Sequence, residues 1–509
     1  MKNHLANCFW KVAVLPTLTG AVAAVPVSHV ESVRPQLVAE VRQSLREQGF
    51  KTDLADFNFS TSPELRAREA ILKAAVPDRT SGPSPFQINL MEPVGTNFAI
   101  VLWKQDSLKL ESRSWPASKN AISWDVFRRM LNEDQCALDA ACTAAMSGPI
   151  AFNLSASAGS AMLLPHLAVL KKLTQTLGCR VLLDLHDGNQ AAAWTNLMAA
   201  TCLVTAWETE PMEISHLIRF TDTKVVFNTT WQALQTNGWS DEQLARLQQE
   251  WESANFFTNL PETIAFEGAS AVALCQQGKQ EVSEFKIPFN EFFIVSLQDP
   301  REIWLQMRDA WYATQSRQSY DQYRRYGMYD DETNLLLFYR NREIEVRNAI
   351  QARSWMQMRE LPGVTNQIYF HSKYGSPLQA MMNMHRIQLA YQLEGISFMG
   401  RAAEAEARRR ILITAIALQR YREEYGSYPD TLAKLAPEFL KAVPPDFMDG
   451  HPLRYRLAND GHFFLYSVGL NCADDGGKFP TRPKGVQDWQ AGPGNAHLLG
   501  TDILWPLPD

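Results

Sequence analysis

The chain has little of what usually announces a chemistry. No C-x-x-C pair, Walker loop, H-E-x-x-H, G-x-S-x-G or G-x-G-x-x-G occurs in its 509 residues, which removes the standard zinc, phosphate-loop, metalloprotease, serine-hydrolase and dinucleotide signatures. It has no basic excess either. The net charge is -6, so a dedicated nucleic-acid binder is not expected, because such proteins neutralise phosphates with lysine and arginine. The seven cysteines are scattered, and the closest pair, Cys136 and Cys142, has no histidine at metal spacing. Such a set reads as small buried hydrophobes, with one or two disulfides open to it if the chain is exported.

What is present is an ordinary globular composition, 46% hydrophobic and 20% charged, at a length that calls for several domains. Lys2 and Lys11 precede an apolar stretch, Val12 to Ala24, and Ala21-Val22-Ala23 offers a small-residue cleavage pattern. Residues 1–30 are therefore expected to form a signal peptide or a membrane anchor through 9–27. The alternative is a cytoplasmic chain with an ordinary N-terminal segment. No second stretch reaches transmembrane length.

Periodicity predicts a mainly α protein. Residues 31–120 read as one N-terminal helix, stopped by Gly49, plus an irregular linker region around Pro77 to Pro85. The run Phe98 to Trp103 fits a strand or part of a buried helix. Residues 121–284 read as an irregular helical array. Ser123 caps the first helix, a second runs from about Leu163 to Leu185, and a third from Ala191 to Trp207. Another runs from Met212 through Trp231, and Ser240 with Gln243 forms a capping box for the next. The pair joined by Asp187-Gly188-Asn189 looks like a tetratricopeptide-type hairpin, without a regular repeat. Residues 285–400 are mixed and mainly helical. Phe289 to Val295 is strand-like, Ile303 to Tyr312 and Ile344 to Met358 helical, and Met381, Met382, Met384 and Met399 form adaptable core.

Residues 401–425 carry the clearest helix, with Ile411, Ala415, Leu418, Tyr421 and Tyr425 on one stripe. Gly426 and Pro429 end it, a short helix over Thr431 to Leu435 follows, and Asn459-Asp460-Gly461 joins two strands, Leu453 to Leu457 and His462 to Ser467.

Bland readings are preferred for most polar clusters. Arg408-Arg409-Arg410 is expected to be a solvated helix face. Glu208, Glu210 and Glu213 are expected at a solvated helix junction, and His166 and His216 as satisfied structural histidines. Trp194, Trp207, Trp231 and Trp239 are expected to pack in the core rather than line a peptide-binding surface. The exception is Asn471, Asp474 and Asp475 in a glycine-bounded loop after a strand, joined by Asp502 near the C-terminus. Hard oxygen ligands on such a loop suit calcium, although the spacing is not that of an EF-hand, and an Asx-turn loop with solvated carboxylates is the alternative.

The motifs of the last hundred residues resemble the C-terminal domain of the type II secretion major pseudopilin. They are Leu418-x-x-Tyr421-x-x-x-Tyr425-Gly426-x-Tyr428-Pro429, the proline turn before Asp446, Tyr466-Ser467-Val468-Gly469, and Asp474-Asp475-Gly476-Gly477. The resemblance covers about 401–505. It implies a small α+β domain over 401–509 whose loop binds calcium and ties the C-terminal segment to the sheet, with Asp474, Asp475 and Asp502 at comparable places. The charge of 401–410 rules out a pseudopilin's membrane helix there, so a folded cap is expected rather than a filament subunit. The wider layout, with L-R-E-Q-G-F at Leu45 to Phe50 and L-P-H-L at Leu164 to Leu167, resembles large bacterial envelope proteins to which no activity attaches.

Together these features suggest a non-enzymatic cell-envelope scaffold, inner-membrane anchored or periplasmic, with a protein partner and no nucleic acid; the resemblance implies a link to secretion. Two alternatives stand beside it. One is a helical-repeat adaptor holding a partner peptide on 121–275. The other is a hydrolase of unrecognised type, to be sought in the 285–400 region, where His371 and His385 flank a loop and helix without an evident paired nucleophile.

Overall fold

The helix expected over 401–425 is longer and far more buried than its stripe suggests. A computed structural model describes residues 28–76, 88–111, 119–131, 135–284, 327–365, 398–479 and 502–509. The N-terminal apolar segment, the linker around Pro77 to Pro85, the segments at 289–295 and 303–312, Met381, Met382, Met384, His371 and His385 lie outside these residues. The described chain is mainly helical with small sheets, as expected.

Helices α1 (Ser28–Glu47), α2 (Pro63–Ala74), α3 (Trp124–Leu131) and α4 (Gln135–Met146) lead into the array. The array continues with α5 (Pro165–His186), α6 (Gln190–Thr205), α7 (Glu213–Ala233), α8 (Asp241–Ser253) and α9 (Leu260–Glu284). Its local signals hold. Asn189 caps α6 through Ala192 N, and Ser240 and Gln243 form both halves of the capping box on α8, satisfying amides that a helix start leaves unpaired. Helix α5 opens at Pro165 rather than Leu163, which is left exposed.

Helix α10 (Met328–Ala349) lies along α9. There is no single helix from Ile344 to Met358. The chain turns after Ala349, and Ser354 caps a separate turn, α11 (Trp355–Met358). The reason is docking: Trp355 N donates to Phe447 O and its Nε1 to Leu470 O, contacts a straight α10 would not make.

Helix α12 (Phe398–Tyr425) is buried all round over Ile411 to Gln419, because α7 and α8 cover one side and sheet strands another. A helix apolar on every face belongs inside a protein. Gly426, at φ +76°, terminates it as expected. The short helix that follows is a 3-10 turn, Leu432–Leu435.

The run at 98–103 forms a short strand and a 3-10 turn. Strand β1 (Pro93–Val94) pairs antiparallel with β2 (Phe98–Ala99), and Leu102–Lys104 turns away. Strands β3 (Leu108–Glu111) and β4 (Lys119–Ile122) make a hairpin the sequence did not signal. Strands β5 (Arg454–Leu457) and β6 (Phe463–Ser467) pair around the Asp-Gly turn, and β7 (Ile503–Trp505) adds to β6. Finally β8 (Leu507–Pro508) runs parallel to β2, about four hundred positions earlier in the chain.

One core therefore extends from Val38 in α1 to Trp505 in β7, through the array and α12. Polar side chains fasten its distant parts. Gln232 on α7 donates to Leu90 O and Ile100 O and accepts from Leu102 N. Gln248 on α8 donates to Phe439 O at 2.8 Å. Trp207, Trp231 and Trp239 are buried in this core, as expected.

Candidate functional site

Asp446 begins the C-terminal polar network. It is fully buried, accepting from Met448 N, Val468 N, the Ser467 hydroxyl and, at 3.3 Å, Arg454. Burial pushes its carboxyl up, while these donors pull back. Arg454, at the start of β5, also reaches Asp449 at 2.6 Å and Asp474 at 3.4 Å. The proline turn and the Y-S-V-G strand are thus joined by one carboxylate.

Of the four residues expected to bind metal, Asn471, Asp474 and Asp475 lie on the next turn and Asp502 reaches it through Gly477 N, but they do not form one ligand set. Asp474 accepts from the Tyr466 hydroxyl and Gly476 N, both at 2.9 Å, as well as from Arg454. Burial alone would raise its pKa, yet these donors hold it below the usual carboxylate range. Asn471 donates to Asp475 at 2.8 Å. Gly476 and Gly477 both adopt positive φ, and a side chain at Gly477 would collide with the rings of Phe464 and Tyr466. That close approach brings Gly477 N to Asp502 Oδ2 at 2.8 Å.

Asp502 sits just before β7, 7% exposed, and its Oδ1 has no hydrogen-bond partner. Burial first, then the charges of Asp475 and Asp474, push its carboxyl up to about 6, against the amides of Gly477 and Asp475. A buried carboxylate oxygen without a hydrogen-bond partner, within the field of two other carboxylates, is the kind of group a hard cation would satisfy. Asp474 is committed to Arg454 and Tyr466, and the Asn471 side-chain carbonyl accepts from Ala473 N, which leaves Asp475 and Asp502 as the carboxylates that could face a cation. Among the described residues, no group of three or more His, Cys, Asp and Glu is arranged to hold a metal.

Elsewhere, three bland expectations need correction. Arg408, Arg409 and Arg410 are not a solvated face. Their side chains are largely buried, Arg409 and Arg410 both pair with Glu406 at 2.7 Å, and Arg408 faces Glu404 at 3.8 Å. Arg409 continues to Trp251 O and Arg410 to Pro445 O, both at 3.0 Å. A helix lodged between the array and the sheet leaves these groups only a small solvent-facing area.

The junction at 208–213 is not solvated as a whole. Glu208 is exposed, but Glu210 is buried and Glu213 mostly so. Burial pushes Glu213 up to about 8, with Glu267 on α9 adding repulsion, and burial lifts Glu267 to about 7. His216 is not satisfied: neither ring nitrogen has a hydrogen-bond partner, and burial lowers it to about 3, Arg219 adding to the effect.

His166 does find a partner. Its Nε2 lies 2.7 Å from Glu210 Oε1, the same oxygen that accepts the Ser215 hydroxyl at 2.5 Å, and its ring stacks on Phe152. The order is Ser–Glu–His, with the carboxylate in the middle. Nucleophilic activation needs the imidazole between hydroxyl and carboxylate, so this cluster knits α5 to α7 instead. The sequence did not show it, because His166 and Glu210 are distant and only the fold joins them. Cys136, Cys142, Cys179, Cys202 and Cys472 form no disulfide. Burial pushes Cys142, Cys179 and Cys202 up to about 12, which keeps them as neutral thiols. Among the described residues no helix is long and apolar enough to cross a membrane. No family model, no curated protein and no solved structure matches the chain.

Proposed function

We propose that the chain is a cell-envelope scaffold whose C-terminal segment is fastened by a calcium-responsive carboxylate turn. The observation that carries this reading is the unpartnered Oδ1 of Asp502. Asp502 accepts from Gly477 N of the 471–477 turn just before the final strands begin, and those strands pair with β6 and with β2. A cation bridging Asp502 and Asp475 would cancel their repulsion and clamp the segment that joins the two ends of the fold. The resemblance to the pseudopilin C-terminal domain supports the same role for the loop. The wealth of long-range polar ties also supports a scaffold, because polar groups spent on fastening segments give rigidity.

Thermal unfolding of the whole chain in chelator and in millimolar calcium tests the turn. Calcium should raise the melting temperature, because a ligand that binds only the folded state stabilises it by mass action. Asp502→Asn keeps an acceptor for Gly477 and should abolish the response. An equal rise in the variant, or no rise in the parent, removes the calcium role. Placement in the envelope rests on the apolar stretch at 9–27, outside the described residues. A fusion of residues 1–30 to an export-dependent reporter should be active, and an inactive fusion would overturn that part alone.

A further inference from the structure

We draw no further inference here: the strongest candidate, the buried side-chain cluster of His166, Thr209, Glu210 and Ser215 where α5 meets α7, is enclosed in the core, and among the described residues nothing directs its unpartnered atoms into a cavity that a ligand could enter.

Discussion

Trp231, in the last turn of α7, donates its indole Nε1 to the carbonyl of Pro506 at 2.9 Å, across 275 positions of sequence. The ring is fully buried, and the bond holds the carbonyl between β7 and β8. Two parts of the chain that composition would assign to different domains share one polar contact inside one core. Trp231→Phe keeps most of the packing but leaves that carbonyl unpaired, which costs about 1–3 kcal/mol. The expected result is a lower urea midpoint with an unchanged slope, and faster amide exchange at Leu507. Unaltered exchange there would mean that the final strand is held by the sheet alone.

Glu406 makes a comparable junction from the opposite side. Its two oxygens take Arg409 and Arg410, and those arginines extend to α8 and to the turn before Asp446. Glu406→Gln removes the charge while keeping the shape. Breaking one partner of a buried ion pair typically costs about 3–5 kcal/mol, and the partial exposure of both arginines places this case near the lower end. Denaturant unfolding should show a loss of about 3 kcal/mol. Glu424→Gln, at an exposed position of the same helix, should shift stability by less than about 0.5 kcal/mol. If the two variants behave alike, the network is surface decoration.

These two contacts show where the sequence was legible and where it was not. Caps and turns depend on residues a few positions apart, so Asn189, Ser240, Gly426 and the Asp460-Gly461 turn could be read directly. The stripe on α12 identified one buried face, but Ala402, Ala403 and Ala407 are small enough to suit either a surface or an interior. Only the neighbouring helices and sheet decide that they are inside. The same is true of Arg408 to Arg410 and of Glu210, whose types suggest solvent and whose partners lie far away in sequence. Strands β7 and β8 are too short to show an alternating pattern, and both need distant partners. At the candidate cation turn, the acidic residues were visible. What the sequence could not show was that Arg454 and Tyr466 occupy Asp474 while Asp502 keeps an oxygen free of hydrogen bonds.

The seam between α9 and α10 depends on the absence of one side chain. A Cβ on Gly268 would lie 2.7 Å from the Cβ of Tyr339 and 2.8 Å from its Cγ. Tyr339 is itself buried, so its ring has little room to retreat. Gly268→Ala would gain helix propensity of about 1 kcal/mol, but overpacking typically costs about 1–3 kcal/mol, and a backbone-proximal Cβ cannot rotate away. The expected net effect is a loss of roughly 1–2 kcal/mol in denaturant unfolding. The double variant Gly268→Ala, Tyr339→Ala should show positive coupling, since removing the ring removes the clash. Additive effects would place the cost elsewhere.

The carboxyl groups of Glu213 and Glu267 should make stability fall as pH rises. Glu213 begins α7, where a helix N-terminus favours a negative charge by about 0.3–1 kcal/mol. Burial and Glu267 outweigh that, since Glu213 stands at about 8 and Glu267 at about 7. In the unfolded chain both ionise near 4.3. Between these limits the folded state holds protons that the unfolded state has released, so the stabilisation is complete below about pH 4 and is lost as pH rises towards 8. The pair repels and is partly exposed, so a discounted change of about 2–3 kcal/mol is expected. Glu213→Gln with Glu267→Gln should flatten this part of the curve and leave the protein more stable than the parent at pH 8.5. Asp222 and Asp184, pushed by burial to about 8 and about 6, contribute a slope of the same sign that both proteins share. The decisive quantity is therefore the difference between the two urea-midpoint curves. Parallel curves from pH 5 to 8.5 would show that these two carboxyls are ionised in the folded protein and that water reaches them.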